Sequence, residues 1–281
     1  MPQDKRYRSA SAAVGGGMLV LWLTMQGKAW LRQEWLPLLP EAGAAAAELV
    51  LQLVMLGLPL LTILWLLRCP AAYLCPVKKG QNGSPWLLPA ALAVLLAANL
   101  FTMLLQRLFA AAVPAPASLP DNTAARILAM AGSVLLPAVM EELLFRGAVL
   151  HALRPAGERT AVWLSALLFM AAHGSLSQWL PALAAGLVLG AVTLYTGTPR
   201  WAVLIHLCNN IMAWLTAYRP SPVTSILLPV LLLILGVLSV PALRRLPRRA
   251  PAKGMVRLGI SVPLLLALVL LLGNALLAPA Y

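Results

Sequence analysis

Long unbroken apolar runs, rather than alternating ones, dominate the chain from about residue 10 to residue 277. A helix needs about 20 apolar residues to cross about 30 Å of hydrocarbon, whereas a membrane-spanning strand reads as a short alternating segment. The runs predict spans at roughly 10–27, 44–67, 86–109, 127–150, 160–175, 178–196, 200–217, 223–242 and 256–277. The breaks between them have turn chemistry. Cys69-Pro70 and the segment Lys78 to Pro85 form one polar loop, Val113 to Pro120 is rich in Pro and Ala, and Gly197-Thr198-Pro199 predicts a tight turn. Asp121 or Thr123 is positioned to cap the helix that follows. The expected fold is all-α, a polytopic transmembrane bundle of about eight or nine spanning helices.

Composition supports that reading. The chain is 61% hydrophobic and 10% charged, against about 25% charged for soluble domains. Eight acidic residues in 281 cannot cover a water-facing surface. The net charge of +13 changes meaning in this setting. With the N-terminus cytoplasmic, fifteen of the 21 Lys and Arg fall in inside loops and ends. Lys28, Arg32, Arg107, Arg126 and Arg219 fall outside, and Arg146 lies within a span. That asymmetry orients membrane helices. No basic stripe is interleaved with aromatics, so no nucleic-acid partner is expected. Trp30, Trp35, Trp65, Trp86 and Trp179 fit helix ends at lipid head groups. Cys69, Cys75 and Cys208 offer no disulfide framework. Lys5, Arg6 and Arg8 before an apolar stretch resemble a signal peptide, but the Trp-rich continuation favours an uncleaved first helix.

Ionisable groups inside lipid are costly, so where they occur they are paired or used. The first three spans hold almost nothing polar, and the exceptions cluster in the second half. Met140-Glu141-Glu142-Leu143-Leu144-Phe145-Arg146 ends one span. Glu142 and Arg146 are i,i+4 with the acid first, the favoured order for a pair. Glu141 then projects to another face without a local partner, as a general base requires; the bland alternative is that all three mark a helix end. Phe169 and His173 share a face at the end of the short span. His206 and Asn210 share a face within span 200–217, with Asn209 beside them. Helix–helix hydrogen bonding is the alternative use of such groups. His151, beside Arg154, is expected to be solvated.

Glu-Glu-x-x-x-Arg, Phe-x-x-x-His and His-x-x-x-Asn, in that order on successive membrane helices, resemble the CPBP (Abi) family of intramembrane proteases, which includes the type II CAAX prenyl endopeptidases. The resemblance covers about residues 127–217. It implies that Glu141 activates a water with help from His173, that His206 and Asn210 stabilise the oxyanion, and that Glu142 and Arg146 form a supporting pair. Members have been described as glutamate peptidases and as metalloproteases. A zinc ion, if present, would be held by Glu141, His173 and His206; the reading favours a water activated without metal.

The organisation is then three N-terminal spans over 1–126, a catalytic core over 127–217 and C-terminal spans over 218–281. The expected function is an intramembrane endopeptidase of a cell (inner) membrane, acting on a membrane-associated or prenylated-type peptide or protein that enters a polar cavity from the cytoplasmic side. A non-catalytic scaffold or self-immunity protein of the same fold is the alternative. A transporter would distribute polar interruptions over two related halves. One tension remains in this topology. His173 ends its span nearer the outside than Glu141 and His206, a mismatch on the order of 10 Å at about 1.5 Å per residue. The peptidase reading therefore predicts a misplaced span boundary near 160.

Overall fold

The computed structural model describes residues 3–70, 87–108, 119–218, 222–245 and 261–277. Secondary structure among them is entirely helical, in nine helices. They are α1 (Gln3–Glu34), α2 (Glu41–Leu67), α3 (Leu87–Leu108), α4 (Thr123–Ala156), α5 (Glu158–Ala171), α6 (Leu176–Thr196), α7 (Arg200–Tyr218), α8 (Pro222–Arg245) and α9 (Val262–Leu277). Four of the nine, namely α2, Leu87–Gln106 of α3, α4 and α6, are long and apolar enough to cross a membrane. The eight or nine spans expected from the sequence are helices, but α5, with 14 residues, falls short of a crossing. The loop from residue 71 to Trp86, with Cys75, Lys78 and Lys79, lies outside the described residues. So do most of Val113 to Pro120, Arg219 and the basic segment before residue 261.

Side-chain contacts fix how the helices run. Lys28 pairs with Glu48 at 2.9 Å, and a Cβ at Gly16 would meet Leu66, so α1 and α2 are antiparallel. Ser11 bonds Ser261 and Gln26 bonds Asn274, so α9 runs parallel to α1. Gly132 sits by Leu49 and Gly57 by Met140, which makes α2 and α4 parallel. Gly186 and Gly190 of α6 face Ala166 and Val162 of α5; an added Cβ at Gly186 would lie 2.7 Å from Ala166. Small residues there let the two backbones approach closely, as in membrane helix packing.

Local chemistry sets the ends. Asn122, rather than Asp121 or Thr123, caps α4: its side chain accepts from the Ala125 N–H at 3.1 Å. The Glu41 carboxylate accepts from the Asp121 and Asn122 N–H groups, tying the starts of α2 and α4 together. Gly197 (φ 72°) ends α6 in the left-handed region, as the turn chemistry predicted. Gly157 (φ 103°) makes the reversal between α4 and α5.

That reversal removes the depth mismatch. The helix expected to stop at 150 continues to Ala156. Glu141 and His173 are then equally far in sequence from Gly157, one before it and one after, and antiparallel helices bring them to one level. The boundary near 160 was late by two residues and the one at 150 early by six. Large apolar side chains such as Leu61, Trp65, Leu233 and Val262 remain exposed on the outside of the bundle. Such a surface requires lipid, and the chain is an integral membrane protein.

Candidate active site

Two stretches of α4 depart from the α-helical pattern on either side of Leu136–Glu141. Ala131–Leu135 and Glu142–Val149 bond in the wider i→i+5 pattern, with Pro137 between them. Such π-turns are rare and frequently mark functional sites. The second one carries Glu142 and Arg146, whose side chains are 0% and 1% exposed. Their ion pair, predicted from i,i+4 spacing, is present at 2.9 Å between Nη1 and Oε1. Arg146 also donates from Nη2 to the Ala185 carbonyl at 3.2 Å and lies over the Phe169 ring, 4.4 Å from its centroid.

The same Glu142 oxygen lies 2.8 Å from Nδ1 of His206 on α7. Glu142 therefore does more than support its own helix: it orients a histidine 64 residues away. With Nδ1 held, Nε2 of His206 points towards Glu141, 3.9 Å from Oε2. A carboxylate that fixes the ring and tautomer of a working histidine is a recurrent arrangement. His173 is held in a parallel manner. Its Nδ1 lies 2.8 Å from the Phe169 carbonyl, which can only accept, so Nδ1 carries a proton and, in the neutral ring, Nε2 is the nitrogen with the lone pair. Phe169 is the hub of the packing, with its ring edge-on to Phe145 (5.1 Å), His173 (4.7 Å) and His206 (6.0 Å).

Two adjoining cavities meet at His173 and Gln178. The larger, about 940 Å³, has Glu141, Phe145 and His173 among its lining residues, with Gln26 and Lys28 of α1, Gln52 of α2 and Asn274 of α9. The smaller, about 150 Å³, holds His173, His206, Asn209, Asn210 and Asn99. The four predicted site residues are thus brought together around this pair of cavities. Glu141 is partly exposed to the larger one, its side chain 16% accessible. Asn210 donates to the Val134 carbonyl at 3.3 Å, at the first π-turn.

Several lining residues escaped the motif reading. Asn99 of α3 donates to Asn209 at 3.1 Å, and the Gln26–Asn274 bond, 2.9 Å, joins α1 to α9 beside the larger cavity. The first three spans are therefore not empty of polar groups. A lone carboxamide in an apolar run was the available signal. His151 is not solvated either: it is half-buried, and its Nδ1 lies 2.7 Å from the Arg146 carbonyl, beside the second π-turn.

A metal ion finds no ready cradle. Among the described residues no three His, Cys, Asp or Glu side chains gather to ligate one ion. Each histidine has Nδ1 held by a carbonyl or carboxylate and Nε2 free, as metal-ligating histidines do, but Glu141 lies 3.9 Å from His206 and the three side chains do not gather as a ligand set. The conditional ligand set of Glu141, His173 and His206 does not fit as placed, and no step below is routed through a metal.

Residues 123–212 match the family model described as type II CAAX prenyl endopeptidase Rce1-like. Over that stretch the chain is similar to the core of the CPBP family. The matched stretch runs from the start of α4 into α7, and all seven motif residues fall inside it, as do both π-turns. CPBP proteins of the Rce1-like type are proteases. No curated protein and no solved structure matches the chain.

Proposed function

We propose that the protein is an intramembrane endopeptidase of a cell (inner) membrane, crossed several times by the chain, that hydrolyses a peptide bond with a water activated by Glu141. The observation that carries this reading is the convergence of Glu141, Glu142 and His206: one carboxylate faces the cavity while the other holds the histidine towards it. A base needs to reach the water, and an oriented partner needs to meet the charge that develops on the carbonyl oxygen.

In the reaction, Glu141 takes a proton from the water as its oxygen attacks the scissile carbonyl carbon. His173, through Nε2, helps position that water. The tetrahedral oxyanion accepts hydrogen bonds from Asn210 and from Nε2–H of His206, a donor only while that ring holds a proton on both nitrogens, since Nδ1–H is given to Glu142. The C–N bond then breaks, and the proton held by Glu141 passes to the leaving amine. Phe169 packs against both imidazoles and holds Nδ1 of His173 with its carbonyl, while Arg146 fixes the Glu142 carboxylate that holds His206. The substrate is a peptide or membrane protein segment, and no resident cofactor is required.

The test is cleavage of a quenched peptide library by the membrane-purified protein. Wild type is expected to cleave a subset of sequences, and Glu141→Ala and His206→Ala to cleave none. Equal cleavage by all three sinks the assignment. A chelator such as 1,10-phenanthroline is expected to leave the wild-type rate unchanged; a loss restored by added zinc contradicts the metal-free step. Glu141→Gln separates catalysis from a scaffold role, since a scaffold keeps its biological effect in that variant.

A further inference from the structure

The contacts that set helix direction also give the bundle two distinguishable ends. At one end lie the Leu36–Leu38 turn between α1 and α2 and Asp121 and Asn122 before α4, with Asn274 of α9 towards it. At the other lie Arg68 after α2, Gly157, Gly197 and the Ser11–Ser261 pair. The larger cavity reaches from Glu141 and His173 only to the first end. Its remaining α1 wall climbs from Leu21 through Lys28 to Ala29, Arg32 and Gln33, which are exposed. No residue of the second end lines it.

The ends differ in charge. The second end carries Arg68, Arg154, Arg159 and Arg200, with the acids Glu158 beside them and Asp4 at the start of α1. α1 also begins at that end, and its first turns contain Lys5, Arg6 and Arg8. The first end has Lys28, Arg32 and Arg126 among Glu34, Glu41, Glu48 and Asp121, and Lys28 is taken up by Glu48 and Gln52. Short loops rich in Lys and Arg stay on the cytoplasmic side. The second end is therefore cytoplasmic, and the cavity opens away from it.

We propose that the site receives its substrate from the extracytoplasmic face, as an extended peptide segment without a lipid chain. This route runs opposite to the cytoplasmic entry expected from the sequence, because the cavity opens at the other end of the bundle. The lining chemistry agrees with the substrate class. Gln26, Gln52, Gln178 and Asn274 line the route, and each carboxamide offers both donors and an acceptor, which suits a peptide backbone. Gln26 bonds Asn274 and Gln52 accepts from Lys28, and the donors and lone pairs those bonds leave over are ones a prenyl chain cannot engage. The side of access is independent of the peptidase reading; only the fate of the bound peptide rests on it.

The test uses the full chain in spheroplasts, with Cys69, Cys75 and Cys208 replaced by Ser and single cysteines placed at Gln33 or Arg159. A membrane-impermeant maleimide is expected to modify Gln33→Cys in intact spheroplasts and Arg159→Cys only after permeabilisation. The reverse pattern, or equal labelling of both in intact spheroplasts, overturns the proposal. If the cysteine-free chain does not accumulate, phosphatase and fluorescent-protein insertions at Leu38 and at Gly157 in the native chain give the same reading. Phosphatase activity is expected only at Leu38, and activity only at Gly157 overturns the proposal. Modification of Gln33→Cys is further expected to block cleavage of an unlipidated peptide at least tenfold, and modification of Arg159→Cys to leave it unchanged. Cleavage untouched by either modification, or confined to prenylated peptides, overturns the route and its substrate class. Labelling as expected with no cleavage by unmodified wild type would instead count against the peptidase reading alone.

Discussion

Two neighbouring glutamates do different work because their surroundings differ. Glu142 is buried between Arg146 and His206, and Glu141 looks into the cavity. Removing one member of a buried ion pair strands the other charge, at a cost of about 3–5 kcal/mol. Glu142→Gln is therefore expected to lower the thermal midpoint of the detergent-solubilised protein by many degrees, whereas Glu141→Gln leaves it within a few. Differential scanning fluorimetry reads both, and equal loss in the two variants contradicts the division. The Phe169 side chain acts through contact alone. Its replacement by Leu removes a buried cation–π contact worth about 0.5–2 kcal/mol and the edge contacts to both histidines. Phe169→Leu is expected to slow cleavage more than it lowers stability.

At the scale of elements, α5 is the part whose placement matters most, since it is short and carries Phe169 and His173. Its depth depends on the Gly157 reversal and on close packing against α6. At Gly186 even a methyl group would clash with the Ala166 backbone. Overpacking of that kind costs about 1–3 kcal/mol, so Gly186→Val is expected to shift α5, lowering the thermal midpoint and the turnover number together. Turnover kept at the wild-type level would show that the α5 position does not govern the site. The helices themselves were legible in the sequence, because apolar runs and Gly or Pro breaks follow directly from what lipid and backbone demand. The π-turns of α4 were not. Widening the bonding by one residue leaves the apolar pattern unchanged, and nothing in Glu142 to Val149 announces it. The Glu142–His206 contact was also hidden, since the i,i+4 neighbour of each residue already offered a local partner. The Glu142–Arg146 pair itself needed only that spacing.

At the scale of the whole molecule, the core matched to the CPBP family supplies the chemistry and the flanking helices complete the cavity. α1, α2 and α9 wall the larger space, and α3 brings Asn99 to the smaller one. Gln26 and Asn274, joined across α1 and α9, are placed to meet the substrate rather than the reacting bond. Gln26→Leu is expected to raise KM several-fold with kcat little changed, the pattern of lost uniform binding. A fall in kcat with KM unchanged would instead put Gln26 in the transition state. Sequence reading passed over these groups because each stands alone in an apolar run, and only the packed bundle gathers them.

The central claim is that Glu141 activates the hydrolytic water, and single-turnover cleavage by folding-matched wild type and Glu141→Gln tests it most directly. General-base catalysis contributes typically about 10²- to 10⁴-fold. The account predicts a loss of at least about 100-fold in Glu141→Gln with the thermal midpoint preserved. A well-folded Glu141→Gln that cleaves within a few-fold of wild type would contradict it.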